Sequence, residues 1–460
     1  MAGLKQRIFT PTAELLFVTM VIFSAFWYVK MTTIESTLED RTEKTLLLYG
    51  MLTLIFLRTL FSQKRKYSWK LGVGIALFLP IVLPTINQTD QYRYVWDGLS
   101  HFWGINPYAL APSEYDQYGK WFWTEAINHP NLNTIYGPIA QLLFALSALM
   151  NPFFWNETIG LNSDFVPLAV NYWQVEFGWK LLVGVSTGGL FYFLRTSRWD
   201  LLLLHPLFVC KWMSNVHVDA MLSVFLLVGL LLVVRFKKIL IGIVLILGAM
   251  LMKWWPLIYG PLVIVFLRKH RSDRCRQKIF AAFCIIGMVF CGYYISADGK
   301  MFESLGIYSR NWVFYGYIYG LTADILYWAG LERYDQLARL ILLGLSGCFI
   351  AIVIKVYFRS LISLRLGMCA VTAVLFAFLP TLHPWYFLTL LALGMPYFRV
   401  LPSTWLWPWL AFMGQVFYLG LEDNAALRYL VYCIVSLFLA RDAKRIHAMI
   451  QRRRNFEAVH

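Results

Sequence analysis

The sequence predicts an all-α polytopic membrane protein, a bundle of about 12–14 crossings with a long outer loop that carries helices of its own. Three observations lead there. Hydrophobic residues make up 59% of the chain and charged residues 14%, with a mean hydropathy of +0.59; soluble domains carry roughly a quarter charged residues. Apolar runs near or above the ~18 residues needed to cross a bilayer recur along the chain. They include "LFVTMVIFSAFWYV", "AMLSVFLLVGLLLVV" and "LILLGLSGCFIAIVIKV". The bases, finally, collect in short gaps between those runs, as in "SQKRKYSWK", "RKHRSDRCRQK" and the terminal "RDAKRIHAMIQRRR".

That distribution explains the net charge of +16. Lys and Arg in cytoplasmic loops set orientation and face anionic lipid, so membrane lipid is an expected partner and nucleic acid is not. Of the seven cysteines, six fall within or beside apolar runs and Cys275 in a basic loop; no C-x-x-C pair points to a metal or redox site. The first apolar run lacks a small-residue cleavage site and reads as a retained helix.

With "MAGLKQR" inside, helices at about 12–29, 45–61 and 71–87 run out, in and out again. Residues 88–135 then form an outer loop, and loops of that length are uncommon without a function. In the middle, "IYGPIAQLLFALSALM" and "WQVEFGWKLLVGVSTGGLFYFL" read as helices. "LLLLHPLFVCKW" is short for a crossing, so one segment there is re-entrant or peripheral. Residues 297–336 form a second outer loop, and the basic tail 442–460 returns inside, which puts both termini in the cytoplasm of a single membrane domain spanning 1–460.

On this layout "TDQYRYVWDG", "SNVHVDA", "MKWWP", "YSRNW" and "LHPWY" all fall at outer helix ends. Ionisable groups at membrane depth usually mark a pathway or a site. Asp90, Arg93, Tyr94 and Asp97 follow i, i+3, i+4, i+7 spacing and share one face of a helix. A partly shielded Asp90 can act as general base toward a hydroxyl, with Arg93 positioning it or binding an anion. An interfacial helix, acids to water and rings to headgroups, accounts for the same spacing. Trp96, Phe102, Trp103, Tyr108, Trp121 and Trp123 crowd the loop among Asn106, Glu114, Asp116, Glu125, Asn128 and His129, a mixture suited to carbohydrate.

His217 and Asp219 lie two apart and do not face each other in an ordinary helix, which favours capping and interhelical hydrogen bonds over a metal pair. Lys253, Arg310 and His383 are candidates to hold a phosphate; each equally fits a side chain reaching for the interface. Asn87-Gln88-Thr89 and Asn156-Glu157-Thr158 fit the N-glycosylation pattern, which is common by chance.

The ordered motifs "DQYRYVWDG…GINPYALAP", "YGPIAQLLF", "NVHVDAM", "MLMKWWPLI", "YSRNWVFYGYIYG" and "HPWYFLTLLAL" resemble lipid-phosphosugar-dependent glycosyltransferases of the GT-C superfamily, nearest to the mannosyltransferases of glycosyltransferase family 87. The resemblance spans about residues 70–400. It implies a GT-C-type bundle, a polyprenyl-phosphate hexose donor (mannose by resemblance) and Asp90 as catalytic base. It also implies substrate contacts through Arg93, Tyr94, Asp97, His217, Asp219, Lys253, Arg310, Trp312, His383, Trp385 and Tyr386, with no cofactor and no required metal. The family's acid follows the first helix, whereas here two further helices precede the one that leads to Asp90. The implied reaction is an inverting displacement onto a glycolipid, polysaccharide or protein acceptor, at the outer face of a bacterial inner membrane. An endoplasmic-reticulum protein with a luminal site reads similarly. The alternative is a transporter or flippase for a polyprenyl-linked glycan or other lipid, although the D-x-x-R-Y and H-x-D segments do not recur as the internal repeats of many transporters do.

Overall fold

A computed structural model describes residues 11–34, 36–61, 68–116, 119–154, 168–194, 199–269, 273–397, 400–401, 403–415 and 425–459. The basic N-terminus, "QKRK", most of "LRTSR" and the Asn156 tripeptide lie outside the described residues. Those described form helices and no strand, with isolated bridges pairing Phe314 and Tyr315 with Thr381. The chain makes two compact units, 1–224 with 289–304, and 225–288 with 305–460.

The first unit opens with α1 (Pro11–Thr33) and α2 (Leu38–Phe61), both long and apolar enough to cross a membrane. Glu14 and Arg58 pair between them at 2.6 Å. The third helix, α3 (Trp69–Val82), ends five residues short of the expected 87. Leu83 is extended, at φ −74° and ψ 132°, because the ring of a following proline, Pro84, disfavours helical backbone in the residue before it. Helix α4 (Asp90–Ser100) then carries the D-x-x-R-Y-x-x-D face. Gly137 and Pro138 start α5 (Pro138–Leu149), where Pro at the first helical position sacrifices no hydrogen bond. Its 12 residues are too few for a crossing. Helix α6 (Leu168–Leu194) is long enough to cross and packs along α3. The short α7 (Trp199–Leu203) leads to a π-helix, Phe208–Ser214, and α8 (Val218–Val234) follows at 97° to it.

Close approach in this unit relies on small residues, as in other membrane bundles. A Cβ at Gly98 of α4 would overlap the Phe144 carbonyl of α5, and one at Gly178 of α6 the Ser147 carbonyl. The loop aromatics pack on one another. Trp103 stacks on Trp121 at 5.3 Å and 7°, and Trp96 and Trp123 are buried with Tyr92, Leu99 and Ile127. Most of the rings read as a sugar platform are thus core of the loop, while Phe102 is exposed.

The second unit takes up most of α8 and continues with α9 (Ile239–Met250), where Gly229 and Gly242 bring the two helices together. Pro256 follows in a short 3-10 turn before α10 (Gly260–Lys269). Helix α11 (Asp273–Ser296) is a fourth crossing-length helix and ends in the first unit's 289–304 segment. The region expected as a second outer loop holds α12 (Glu303–Asn311) and α13 (Tyr317–Trp328). A fifth crossing-length helix, α14 (Tyr334–Phe358), packs with α15 (Leu364–Phe378). Then come α16 (Phe387–Gly394), α17 (Ser403–Met413) and the basic-tailed α18 (Ala425–Val459). By length and composition five helices among the described residues can cross a membrane, six if the bent pair counts as one, which fits an integral membrane protein. Several other apolar runs fold as shorter helices of 12 to 15 residues, α3, α5, α9 and α15.

Substituting Gly98→Ala forces α4 off α5, and overpacking of that kind costs roughly 1–3 kcal/mol. Gly189→Ala, at a helical position with open space around the added Cβ, is expected to be neutral or slightly stabilising. Thermal unfolding of the two purified variants checks the pair; equal melting of both would contradict the packing described.

Candidate functional site

The path to the site starts at the end of α3. Its last carbonyls lack helical partners, and four consecutive ones receive side-chain donors instead. Trp173 Nε1 donates to Ile81 O (2.8 Å) and Trp27 Nε1 to Val82 O (3.0 Å). Lys180 Nζ donates to Leu83 O (2.8 Å) and Ser214 Oγ to Pro84 O (2.7 Å). The next residues are tied as well. Thr85 Oγ1 donates to Glu176 Oε2 (2.5 Å), the Ile86 N–H to Asn215 Oδ1 (3.3 Å) and Asn87 Nδ2 to Thr45 Oγ1 (2.9 Å). Glu176 also sits 3.4 Å from Lys180, both buried.

Asp90 is the first residue of α4, where the helix dipole favours a carboxylate. Its side chain is 13% exposed. Its described contacts include three side chains. Asn128 Nδ2 donates to Oδ1, Gln88 Nε2 donates to Oδ2 at 3.1 Å, and His217 Nε2 lies 2.9 Å from Oδ2. Behind the imidazole, Nδ1 lies 2.7 Å from Asp219 Oδ2. His217 is therefore set between two carboxylates, one wholly buried and one reaching the surface. Its Nδ1 also lies 3.3 Å from the Asp219 backbone nitrogen, whose N–H donates to it. His217 and Asp219 meet because His217 stands in the break before α8, outside the helix to which the two-apart rule applies. Val216, at φ 43°, makes the turn, and its carbonyl accepts from Trp179 Nε1 at 2.6 Å.

Seven residues on, Asp97 has a different environment. It is fully buried, pairs with Arg93 Nε at 2.7 Å and accepts from Gln141 Nε2 at 3.0 Å. Arg93 Nη1 donates to Leu132 O at 2.8 Å. This pair joins α4 to the loop and to α5. Tyr94 stacks on Phe144 at 4.8 Å and sets its edge toward His217 at 6.1 Å. Burial, then the neighbouring Tyr136 phenol and the Asp90 carboxylate, hold the Tyr94 phenol well above its usual range, so it stays protonated as a wall of the site.

The second unit carries the other expected residues. His383 stacks on Trp385 at 4.4 Å and on Phe314 at 5.0 Å, and its Nε2 lies 3.1 Å from the Tyr308 hydroxyl. That hydroxyl is 3.1 Å from the Tyr386 hydroxyl, and Lys253 Nζ stands 4.6 Å over the Tyr386 ring. Trp312 stacks on Tyr308. Arg310 is exposed and turns its Nε back to Gly306 O of its own helix at 3.1 Å, so among the described contacts it does not join this cluster.

Sequence reading did not single out Gln88, Glu176, Lys180, Lys211 or Asn215. Lys211 Nζ and Asn215 Nδ2 both donate to Gln88 Oε1, at 3.1 and 2.9 Å, which turns its amide nitrogen onto Asp90. The signal available was four polar residues, Lys211, Ser214, Asn215 and His217, in "VCKWMSNVH", a segment otherwise apolar. Asn128, grouped with sugar-binding amides in the sequence, is used on Asp90. Among the described residues no group of three or more His, Cys, Asp or Glu is arranged to hold a metal ion. Comparison of the chain with protein-family profiles, curated proteins and solved structures yields no match.

The two carboxylates of α4 are expected to separate on stability. Asp97→Asn leaves the buried Arg93 without its counter-charge, a loss of roughly 3–5 kcal/mol, whereas Asp90→Asn keeps a polar, partly exposed side chain among amide donors and melts close to wild type. Thermal unfolding of each variant in the same detergent decides it, and the reverse order would refute the assignment of Asp97 as the structural acid.

Proposed function

We propose that the chain is an integral membrane glycosyltransferase. It moves a hexose, mannose on the motif resemblance, from a polyprenyl-phosphate carrier to an acceptor hydroxyl at the outer face of a bacterial inner membrane. The observation that supports this most is the setting of Asp90: a partly shielded carboxylate at the start of α4, backed by His217 and Asp219. Asp90 takes the proton of the acceptor hydroxyl, whose oxygen attacks the anomeric carbon as the carbon–oxygen bond to the carrier phosphate breaks. The electron pair leaves on the phosphate, and inversion makes an α-glycoside from a β-linked donor. His217 Nε2 positions the Asp90 carboxylate, and Asp219 holds the His217 ring in place. In the second unit, Lys253 with its Tyr386 and His383 neighbours is the set proposed for phosphate. Glycolipid, polysaccharide and protein remain the acceptor classes.

One observation favours the second reading, a transporter or flippase for a lipid-linked glycan. The π-helix and α8 form a broken pair bent by 97°, with His217 and Asp219 at the break, and broken helices carry the sites of many transporters.

In membranes reconstituted with a labelled polyprenyl-phosphate hexose pool, the wild type is expected to transfer label to acceptor. Asp90→Asn at matched expression is expected to fall by roughly 10²–10⁴-fold, the usual contribution of a positioned base. His217→Ala falls less. Label that crosses the bilayer without forming a glycoside would instead establish the transporter reading.

A further inference from the structure

Beside the Asp90 site, the first unit holds a second polar cavity, of about 230 Å³, that the reaction proposed above does not use. Lys30 and Arg41 line it with Thr33 and Ile34, and the 85–89 segment and the Tyr92, Ala126 and Tyr172 side chains close it. Lys30 lies in the last turn of α1 and Arg41 in the first turn of α2, so the two helices before the catalytic loop supply both cations.

Among the described residues, Asp40 pairs with Lys44 at 2.7 Å, and Glu176 pairs with Lys180 while also acting electrostatically on Lys30. Neither Lys30 nor Arg41 pairs with a carboxylate among the described residues. Lys30 Nζ stands 5.3 Å over the Tyr172 ring. Arg41 Nη2 makes one long bond to Ser36 O, at 3.4 Å, and its Nε is buried with no hydrogen-bond partner. A buried donor left unmade costs roughly 1–3 kcal/mol, more for a charged group, and an anionic oxygen in the cavity would satisfy it. The cavity has room for a tetrahedral anion with a few waters at ~30 Å³ each, and it is smaller than the usual pocket for a large ligand.

We infer that Lys30 and Arg41 form a binding site for a phosphate monoester, presented as the headgroup of a membrane lipid. Two cations match the dianion of a monoester. A lipid source follows from the setting: Tyr28 and Met31, flanking Lys30 on α1, are 61% and 46% exposed, as lipid-facing side chains of a crossing-length helix would be. Gln88 lines the cavity and also donates to Asp90, so an occupant here would touch the residue that orients the acid. The inference involves no transfer step and stands apart from the reaction assigned to Asp90.

The test uses the full chain in phosphatidylcholine nanodiscs and measures the rise in melting temperature with added probe, since a ligand that binds the native state alone stabilises it. The probes are dioctanoyl phosphatidic acid, dioctanoyl phosphatidylcholine and inorganic phosphate. Phosphatidic acid is expected to stabilise the wild type and the exposed-loop control Lys237→Gln equally. It should bind Lys30→Gln/Arg41→Gln at least about tenfold more weakly, as loss of charge-assisted hydrogen bonds predicts. If the double variant fails to fold, Arg41→Lys, which keeps the charge and removes Nε, takes its place with the same expected weakening. Inorganic phosphate binding as tightly as phosphatidic acid would overturn the lipid source. Equal binding by wild type and variants, equal response to phosphatidylcholine, or no response to any probe would overturn the site.

Discussion

A helix that stops in apolar surroundings leaves its last carbonyls without partners, and at membrane depth each such group is costly. Helix α3 stops after Val82, and the chain runs without helix through Thr89 before α4 begins. The unit meets this constraint by sending donors from three directions: an indole from α1, an indole and an ammonium from α6, and a hydroxyl from the π-helix. Lys180 serves twice, capping Leu83 O and Ser214 O while its charge is balanced by Glu176. Glu176 in turn holds Thr85 and Gln91. The position of Asp90 is thus fixed by the meeting of α1, α3, α6 and the π-helix, well before any substrate is considered.

Asp90 and Asp97 share one helix face yet have opposite tasks. Asp97 is enclosed, and its partner Arg93 spends two of its donor nitrogens within the protein. The third Arg93 nitrogen, Nη2, is buried with no hydrogen-bond partner among the described residues. Asp90 is held by neutral amides and an imidazole. The Lys211 ammonium, bonded to Gln88, is also within electrostatic reach of this carboxylate.

Much of the first unit's outline was legible in the sequence. The i, i+3, i+4, i+7 spacing of the acids, arginine and tyrosine does form a helix, and the apolar runs are helical. "LLLLHPLFVCKW", short for a crossing on paper, folds into α7 and a π-helix. The rest was hidden for physical reasons. The groups that position Asp90 come from up to 127 residues away, and a lone Gln88, Asn128 or Lys211 has no periodicity that would reveal its partner. His217 was judged by helical geometry that does not hold at a helix break. The loop aromatics have a composition that suits either a sugar or a core, and only packing distinguishes them: Trp96 and Trp123 are buried against their neighbours.

Backbone strain links these observations. Asn87, His129 and Val216 all adopt positive φ without being glycine, at 50°, 49° and 43°. Each adjoins one of three residues that contact the Asp90 carboxylate: Gln88, Asn128 and His217. Asn and His tolerate this region moderately well, but a β-branched valine does so at real cost. Conformations of this kind cost roughly 1–3 kcal/mol each and persist where surrounding contacts over-determine them. Here the contacts are present: Asn87 is bound to Thr45, the Val216 carbonyl to Trp179, and the His129 carbonyl to the Leu132 N–H at 3.0 Å. Three strained turns converging on one partly exposed acid fit a group preorganised for chemistry, where donors already in place need no rearrangement when the proton moves.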